Sequence, residues 1–443
     1  MRGIKLKSEF KLLRGSLARC ILALVALLVI AAPLRAETTA DSSVVYPERR
    51  TDRTPVEYVL ALPSIALQVP VKLVGTLVAG PVILVERHAY LPTIQEWLGE
   101  LDVSGIRPVA GLQSKAGLLG GLSLVDKHLF SQGVGARLKG TYSTNSYKFA
   151  SLRLGGEQWR DGPFGLTAEG GWLEKTRERI YGLGPSSKSA DEANYSYQGA
   201  FGNVTLRWQA VPKLVVSVTG GMRRVDPGDG RRMSTEGDRA IIAERFAGQD
   251  LYGLFETLDL YTVGTECKLD WRDRPGSPLR GGTEVLRVAY VTANGPDNTD
   301  VGFWKVRGEA RQYLNLFGGR VIGVRVLAEI TEPNDGTRVP FYELAHLGGS
   351  HSLRGYSTDR FAARDMAMFT VEYRWPLWRK IDAFLFTDQG RVFDNIEDDF
   401  AFANFRSSYG GGLRIWSHDS NIELMMADSP EAMKFYVNLG AAF

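Results

Sequence analysis

The side chains that could carry catalytic or metal chemistry are few in this sequence and lie far apart. No two of the five histidines have the spacing of a zinc site. Ser350 lies in GGSHS rather than in a G-x-S-x-G elbow, so no hydrolase nucleophile can be named. The acidic run 394–399 lacks the pattern of a cation-binding loop and is typical of a solvated surface loop. We therefore predict no enzymatic activity, no metal ion and no cofactor. The residues considered are His88, His128, His346, His351, His418, Asp394, Glu397, Asp398 and Asp399.

Three charged residues near the C-terminus point instead to a structural ion pair. Arg354 lies in LGGSHSLRGY (residues 347–356), followed directly by Gly355 and Tyr356. Glu372 and Asp388 lie in the two apolar segments that come next along the chain. A guanidinium placed between two carboxylates can form bidentate, charge-assisted hydrogen bonds. We predict that Arg354 is lowered between Glu372 and Asp388 and pins its loop inside the fold.

The segment that carries Glu372 has the alternation of a membrane-barrel wall strand. In FTVEYRWPL, residues 369–377, Phe369, Val371, Tyr373 and Trp375 share one face, whereas Glu372 and Arg374 share the other. Successive side chains of a strand point to opposite faces, so one face suits lipid and the other suits water.

The same alternation recurs from residue 107 to the C-terminus, in segments of about 10 residues bounded by turn residues. We count sixteen segments, an even number, as single-chain bacterial barrels require. The segments are 107–114, 117–128, 133–144, 147–158, 164–174, 197–209, 213–224, 257–271, 282–293, 303–316, 320–331, 367–376, 381–392, 407–417, 420–428 and 434–443.

The connections between these segments are short at one end of the predicted barrel and long at the other. The short ones are 159–163, 210–212, 317–319, 378–380 and 417–419; the long ones are 175–196, 225–256, 332–366 and 393–406. Outer-membrane barrels have short periplasmic turns and longer surface loops. The predicted fold is therefore a 16-stranded antiparallel transmembrane β-barrel over 105–443, with Arg354 in its sixth surface loop.

The chain before the barrel divides into two parts. Residues 1–36 have the basic and apolar regions of a signal peptide ending at Leu34-Arg35-Ala36, with an uncleaved anchor as the alternative. Residues 37–104 are predicted to be a partly helical or irregular periplasmic segment, in which Pro63 and Pro70 interrupt an apolar stretch. Cleavage changes the formal net charge from +3 to −3 and leaves Cys267 as the one cysteine. The slightly negative net charge indicates no nucleic-acid partner. A single cysteine allows no intramolecular disulfide.

The chain ends in KFYVNLGAAF, a further alternating strand. One face carries Phe435, Val437, Leu439, Ala441 and Phe443. An aromatic residue at the carboxyl terminus is suited to the membrane interface.

Several of these motifs together resemble the bacterial surface antigen family, which contains the BamA and TamA type outer-membrane assembly barrels. The resemblance rests on R-G-Y preceded by G-G, on E-Y-R-x-P-L, on the segment FTDQGRV of residues 386–392 and on the terminal strand, in this order. The turn DWRDRPGSPLRGG, residues 270–282, is similar to the D-x-R-D turn of that family. An ordinary turn with self-paired charges is the alternative for it. The turn residues concerned are Asp270, Arg272, Asp273, Pro278 and Gly281.

The resemblance implies a location in the outer membrane of a Gram-negative bacterium and a role in protein insertion, assembly or translocation. It implies a monomeric barrel whose partners are outer-membrane lipids, including lipopolysaccharide, and unfolded client proteins. Relatives usually carry POTRA domains before the barrel, and residues 37–104 lack the strand alternation of such a domain. We therefore expect a POTRA-less member. A passive or lipid-conducting pore and a structural surface-antigen barrel remain as alternatives.

Overall fold

A computed structural model describes residue 57 and residues 105–113, 115–131, 134–158, 162–231, 240–293, 301–416 and 421–439. Nineteen strands lie in these ranges. They are β1 (Gly105–Gln113), β2 (Gly117–Ser131), β3 (Val134–Ser143), β4 (Lys148–Gly156), β5 (Phe164–Ile180), β6 (Ala193–Val211), β7 (Leu214–Asp229), β8 (Ala240–Ile241), β9 (Leu258–Asp270), β10 (Gly281–Ala293), β11 (Val301–Phe317), β12 (Arg320–Pro333), β13 (Ala345–Leu347), β14 (Phe361–Ala363), β15 (Asp365–Trp378), β16 (Ile381–Phe393), β17 (Arg406–Trp416), β18 (Asn421–Asp428) and β19 (Met433–Leu439).

From residue 105 onward, the described helices are short and lie in connections between strands. The α-helices are α1 (Ile242–Arg245) and α2 (Ile396–Asp399), and three single 3-10 turns cover Ser189–Asp191, Phe341–Glu343 and Phe402–Asn404. Within the described ranges, no helix is both long enough and apolar enough to cross a membrane.

Sixteen of the strands form one antiparallel meander. Each long strand pairs with the next one along the chain, and β7 pairs with β9 and β12 with β15 across the short strands between them. The short pair β13 and β14 lies apart from this sheet. The prediction of sixteen antiparallel barrel strands is therefore confirmed, with each predicted segment falling on one long strand. Residues 440–443 of the last predicted segment lie outside the described residues.

Side-chain alternation separates an apolar outer face from a polar inner face, as β6 illustrates. Val204, Leu206 and Trp208 are about half exposed on the outside, whereas Thr205 and Arg207 point inward. The two predicted faces of β15 are also present, with Glu372 and Arg374 buried inside. Trp375 differs from the exposed residue expected of a lipid face, because it is buried and stacked against Tyr373.

The long and short connections lie at opposite ends of the barrel, here called the loop end and the turn end. The long connections are 181–192, 230–257, 334–364 and 394–405, and the shortest are 212–213, 318–319 and 379–380. Two connections fold into the interior. Residues 334–364, the inner loop, descend from the loop end, and residues 271–280, the inner turn, rise from the turn end.

Contacts between distant strands enclose an interior. Ser277 of the inner turn donates to Asp382 of β16 over 2.6 Å, and Asn421 of β18 donates to the Gly276 carbonyl over 2.8 Å. The inner turn joins β9 to β10, six or more strand positions away from β18 in the meander. A sheet can make such contacts only when it curves around a common centre.

Apolar side chains fill part of the interior at the loop end. Residues of connection 230–257 pack against residues of the inner loop and against the ends of β5 and β6. This apolar cap consists of Ile180, Tyr195, Ile242, Phe246, Leu251, Phe341 and Leu344.

Candidate functional site

The inner loop is anchored by Arg354, whose side chain is 4% exposed and whose guanidinium binds Asp388 of β16. Arg354 Nε donates to Asp388 Oδ2 over 2.8 Å and Nη2 donates to Oδ1 over 2.7 Å. The Arg354 backbone N–H also donates to Oδ2, over 3.1 Å. The guanidinium carbon lies 3.3 Å from the centre of the Phe386 ring, one inward position nearer the turn end. Both partners are removed from water, so each depends on the other for its hydrogen bonds.

Glu372 does not take part in this pair, so the prediction that it contacts Arg354 is wrong. The ladder places Thr370 opposite Asp388 and Glu372 opposite Phe386, whose ring lies beneath the guanidinium. Glu372 instead binds Arg414 of β17 over 3.0 Å. Asp388 has a second partner that was not predicted from the sequence. The Thr370 hydroxyl donates to Asp388 Oδ1 over 2.8 Å.

Glu372 belongs to a buried charge cluster below the anchor. Arg414 binds Glu423 over 2.7 Å as well as Glu372, and Arg374 lies 3.7 Å from Glu372 and 3.8 Å from Asp382. These five side chains are inward residues of β15, β16, β17 and β18. Each charge has an opposite neighbour, as charges removed from water require.

Gly355 and Tyr356 fasten the loop to the last strands of the barrel. Gly355 has a φ of +88°, and a Cβ there would lie 3.0 Å from Ser429 Cβ. Its N–H donates to the Tyr436 hydroxyl of β19 over 3.0 Å, and its carbonyl accepts from Ser429 Oγ over 3.1 Å. The Tyr356 hydroxyl donates to the Ser407 carbonyl over 3.3 Å. A side chain at position 355 would separate these surfaces.

The inner turn is built by its own charges. Arg272 donates to both carboxylate oxygens of Asp270, over 2.9 and 2.6 Å. Asp273 Oδ1 accepts the N–H groups of Arg274, Leu279 and Arg280. Gly281 has a φ of +92°, and a Cβ there would lie 2.3 Å from the Trp271 carbonyl oxygen. The charges are thus self-paired, as the alternative interpretation of this motif expected.

The inner turn also docks on the buried charge cluster. Arg374 donates to the Pro278 carbonyl, and Asp382 accepts from Ser277, which is fully buried. Asp382 and Asp388 both point inward from β16. One strand therefore receives the inner turn near its turn end and the inner loop near its middle.

Two consecutive residues of the inner loop join the first and last hairpins at the loop end. Asp359 binds Lys115 of the β1–β2 connection, which also binds Glu178 of β5. Arg360 donates from Nε to Glu431 of the β18–β19 connection over 2.9 Å, and from Nη1 to Ser187 over 3.0 Å. We call Asp359 and Arg360 the clasp. Sequence reasoning did not find it.

The charges of the clasp residue Asp359 and of its partner Lys115 stabilise each other. Burial alone would lower the pKa of Lys115, but the Glu178 and Asp359 carboxylates outweigh burial and raise it. Burial alone would raise the pKa of Asp359, and the nearby Lys115 ammonium lowers it instead. Asp359 has a φ of +56°, a left-handed conformation that aspartate tolerates better than most residues.

The terminal strand has the predicted two faces where it is described. Phe435 and Val437 are 78% and 67% exposed on the outside, and Tyr436 points inward to the loop. The side chain of Leu439 and the whole of Ala441 and Phe443 lie outside the described residues. Among the described side chains, no group of three histidine, cysteine, aspartate or glutamate residues could hold a metal ion.

The sequence of residues 118–441 matches the Omp85 superfamily domain. The chain belongs to the Omp85 superfamily. The predicted membership of the family of BamA and TamA type barrels is confirmed at the level of this superfamily. No curated protein matches the sequence.

The likeness to solved Omp85 structures is one of fold. BamA from Haemophilus ducreyi lacking POTRA domains 1–3 superposes with a TM-score of 0.57 at 14% identity, covering 75% of this chain and 69% of that one. CdiB from Acinetobacter baumannii gives a TM-score of 0.44 at 13% identity, covering 76% and 59%. CdiB from Escherichia coli gives 0.47 at 12% identity, covering 76% and 61%.

Proposed function

We propose that this Omp85 chain is an integral barrel of the Gram-negative outer membrane that inserts, assembles or translocates other proteins. The loop end would face the cell surface and the turn end the periplasm, because long loops and short turns are distributed this way in such barrels. Its partners would be outer-membrane lipids, including lipopolysaccharide, and unfolded client proteins, with the barrel acting as a monomer.

The observation that carries this proposal is the inner loop, which occupies the interior and holds both hairpins at the ends of the meander. The clasp contacts Lys115 in the first hairpin and Glu431 in the last. A loop that holds the outermost strands can regulate whether their edges are available to pair with a client strand, because an unpaired edge offers a row of free N–H and C=O groups.

A passive pore is the second candidate, and a polar cavity at the turn end favours it. This cavity is lined by Arg153, Arg207, Lys268 and other charged residues. The apolar cap argues against free diffusion through the whole lumen, because ions avoid a passage closed by aliphatic and aromatic side chains. Conduction would require the inner loop and connection 230–257 to move apart.

One reconstitution separates the two candidates. The purified full chain is placed in liposomes, and the folding rate of an added, urea-unfolded barrel protein is compared with that in empty liposomes. Arg354→Ala removes the anchor, and Arg364→Ala serves as its control, since Arg364 is a half-buried arginine of the same loop that donates to the Asp394 carbonyl and not to the anchor. Faster client folding that Arg354→Ala changes and Arg364→Ala does not would support assembly. Unchanged client folding together with a steady, large conductance in planar bilayers would favour the pore.

A further inference from the structure

Five phenylalanine rings form one contiguous cluster at the loop end, around connection 394–405. The ring centres of Phe393 and Phe400 lie 6.0 Å apart, and those of Phe400 and Phe402 lie 4.8 Å apart. Phe405 lies 5.5 Å from Phe402 and 6.4 Å from Phe369 of β15. Phe393 is fully buried, whereas Phe400 is 39% and Phe402 is 68% exposed. This phenylalanine cluster is therefore buried at one edge and exposed at the other.

The connection is held against the outer face of the barrel wall. Side-chain alternation and the ladder place Asp365, Phe369 and Arg391 on the outward face of β15 and β16. Asp365 accepts the Ile396 N–H over 2.9 Å, and Arg391 donates to the Asp399 carbonyl over 2.9 Å. Phe369 supplies the ring contact to the cluster. Outward side chains thus hold the connection on the side of the wall that faces lipid.

The cluster begins at the height where the apolar band of a membrane barrel ends. Trp378, 52% exposed, is the aromatic residue of β15 at the turn end. Phe369 precedes it by nine residues. This is about 30 Å along the strand and about 23 Å along the axis of a barrel whose strands tilt by about 40°. Outer-membrane barrels carry an apolar band about 25 Å tall between two girdles of aromatic residues. Trp378 and Phe369 have the separation of two such girdles, so the cluster lies at the membrane interface.

The exposed rings extend a surface that already faces hydrocarbon. In the next outward row toward the turn end, Val371 stands opposite Thr387, and Thr387 opposite Tyr409. Val371 is 37% and Tyr409 is 63% exposed. Aromatic side chains are favoured where acyl chains meet headgroups, and removing their apolar area from water is favourable. Membrane lipid therefore suits the exposed edge of the cluster, Phe400 and Phe402, better than water does.

The backbone of the connection is also suited to the interface. The Asn404 N–H donates to the Ala401 carbonyl over 3.2 Å, and the Phe405 N–H donates to the Phe402 carbonyl over 3.1 Å. Irregular backbone enters a poorly hydrated region at a high cost unless its polar groups are paired. The 3-10 turn that carries the most exposed ring thus pairs part of its own backbone.

We propose that connection 394–405 is a membrane-binding loop. Its Phe400 and Phe402 rings insert between the lipids of the leaflet at the loop end, where acyl chains meet headgroups. The inserted rings hold β15 and β16 at a fixed height in the bilayer, and with them Asp388, the partner of Arg354. The proposal requires a barrel that crosses a bilayer and does not depend on whether it assembles clients.

Quenching by lipid tests the proposal on the full chain in phosphatidylcholine liposomes. Cys20 and Cys267 are replaced by serine, and Phe402→Cys carries a small, environment-sensitive fluorophore. Val371→Cys is the lipid-facing control, and Ser189→Cys, exposed in a 3-10 turn at the same end, is the water-facing control. Phospholipid with a nitroxide near its headgroup is expected to quench the labels of Phe402→Cys and Val371→Cys. Acrylamide in the water is expected to quench mainly the label of Ser189→Cys.

The opposite pattern would overturn the proposal. If the nitroxide lipid quenches the label of Phe402→Cys no more than that of Ser189→Cys, the ring faces water. Energy transfer between donor- and acceptor-labelled Phe402→Cys proteins that persists on dilution with lipid would show that a second copy covers the cluster, and would overturn it too. Heat-modifiable gel mobility establishes that each variant is folded. Phe400→Cys, measured in the same way, provides a second position in the cluster.

Discussion

Arg354 and Asp388 form a buried pair in which one carboxylate accepts three hydrogen bonds from a single residue of the inner loop. Asp388 is fully buried, and its fourth hydrogen bond comes from Thr370. The pair therefore joins a long loop to the middle of the barrel wall, where water cannot replace a lost partner.

Arg354→Ala is expected to destabilise the barrel by about 3 to 5 kcal/mol, because it leaves a buried carboxylate without its cation. Urea unfolding followed by heat-modifiable gel mobility measures the change. Arg364→Ala, which removes one hydrogen bond of a half-buried arginine in the same loop, is expected to change stability by about 1 kcal/mol or less. Equal stability of the Arg354→Ala and wild-type proteins would show that the loop is held by its other contacts.

A double-mutant cycle distinguishes Asp388 from Glu372 as the partner of Arg354. Asp388→Asn and Arg354→Ala are expected to couple by about 1 to 3 kcal/mol, because they remove the same contact. Glu372→Gln is expected to couple more strongly with Arg414→Ala than with Arg354→Ala, since Glu372 binds Arg414. Stronger coupling of Glu372 with Arg354 would contradict the pairing of Arg354 with Asp388.

Gly281→Ala is expected to destabilise the inner turn by about 2 kcal/mol or more, because it adds a close contact to an unfavourable φ. Gly336→Ala is the matched control: Gly336 has a φ of +77°, and nothing lies within 4 Å of its added Cβ. The control isolates the conformational cost, about 1 kcal/mol. Limited proteolysis at residues 271–280 measures release of the turn, and equal cleavage of both variants would argue against its tight docking.

The contribution of Asp359 to the stability of the fold is expected to be lost in acid. The pKa of Asp359 in the folded protein lies below its ordinary value of 3.8, so this carboxylate stabilises the fold above that pH and loses its effect as the pH falls through the folded value. Asp359→Asn is therefore expected to cost about 1 to 2 kcal/mol at pH 7 and progressively less below about pH 4. Thermal unfolding of both proteins between pH 7 and pH 3 measures this. Parallel curves over the whole range would exclude the ion pair as the cause.

The barrel strands could be predicted from sequence because their signal is local. Lipid on one side and water on the other impose a period of two, which Val204, Thr205, Leu206 and Arg207 show within four residues. The position of Arg354 inside the lumen could also be predicted, because it lies in a short, continuous motif, residues 347–356.

The partners of the site could not be predicted in full because they depend on register and on distant contacts. Whether Asp388 or Glu372 receives the guanidinium is decided by which residue stands opposite which in the β15–β16 ladder. Lys115 and Asp359 are separated by 244 positions in sequence, and no local pattern relates them. The docking of the inner turn on Asp382 is likewise a tertiary contact between residues 105 positions apart.

The two aspartates of β16, Asp382 and Asp388, make barrel assembly sensitive to the register of this strand. A slip of one residue would turn Asp382 and Asp388 toward lipid. A slip of two would present Phe384 to Ser277 and Gly390 to Arg354, or Lys380 to Ser277 and Phe386 to Arg354, depending on its direction. Either misalignment leaves both the loop and the turn without their carboxylates at once. The correct register of this one strand is thus required by contacts with the inner turn and with the inner loop. A chain with a shifted register loses both sets of contacts, which favours its rearrangement.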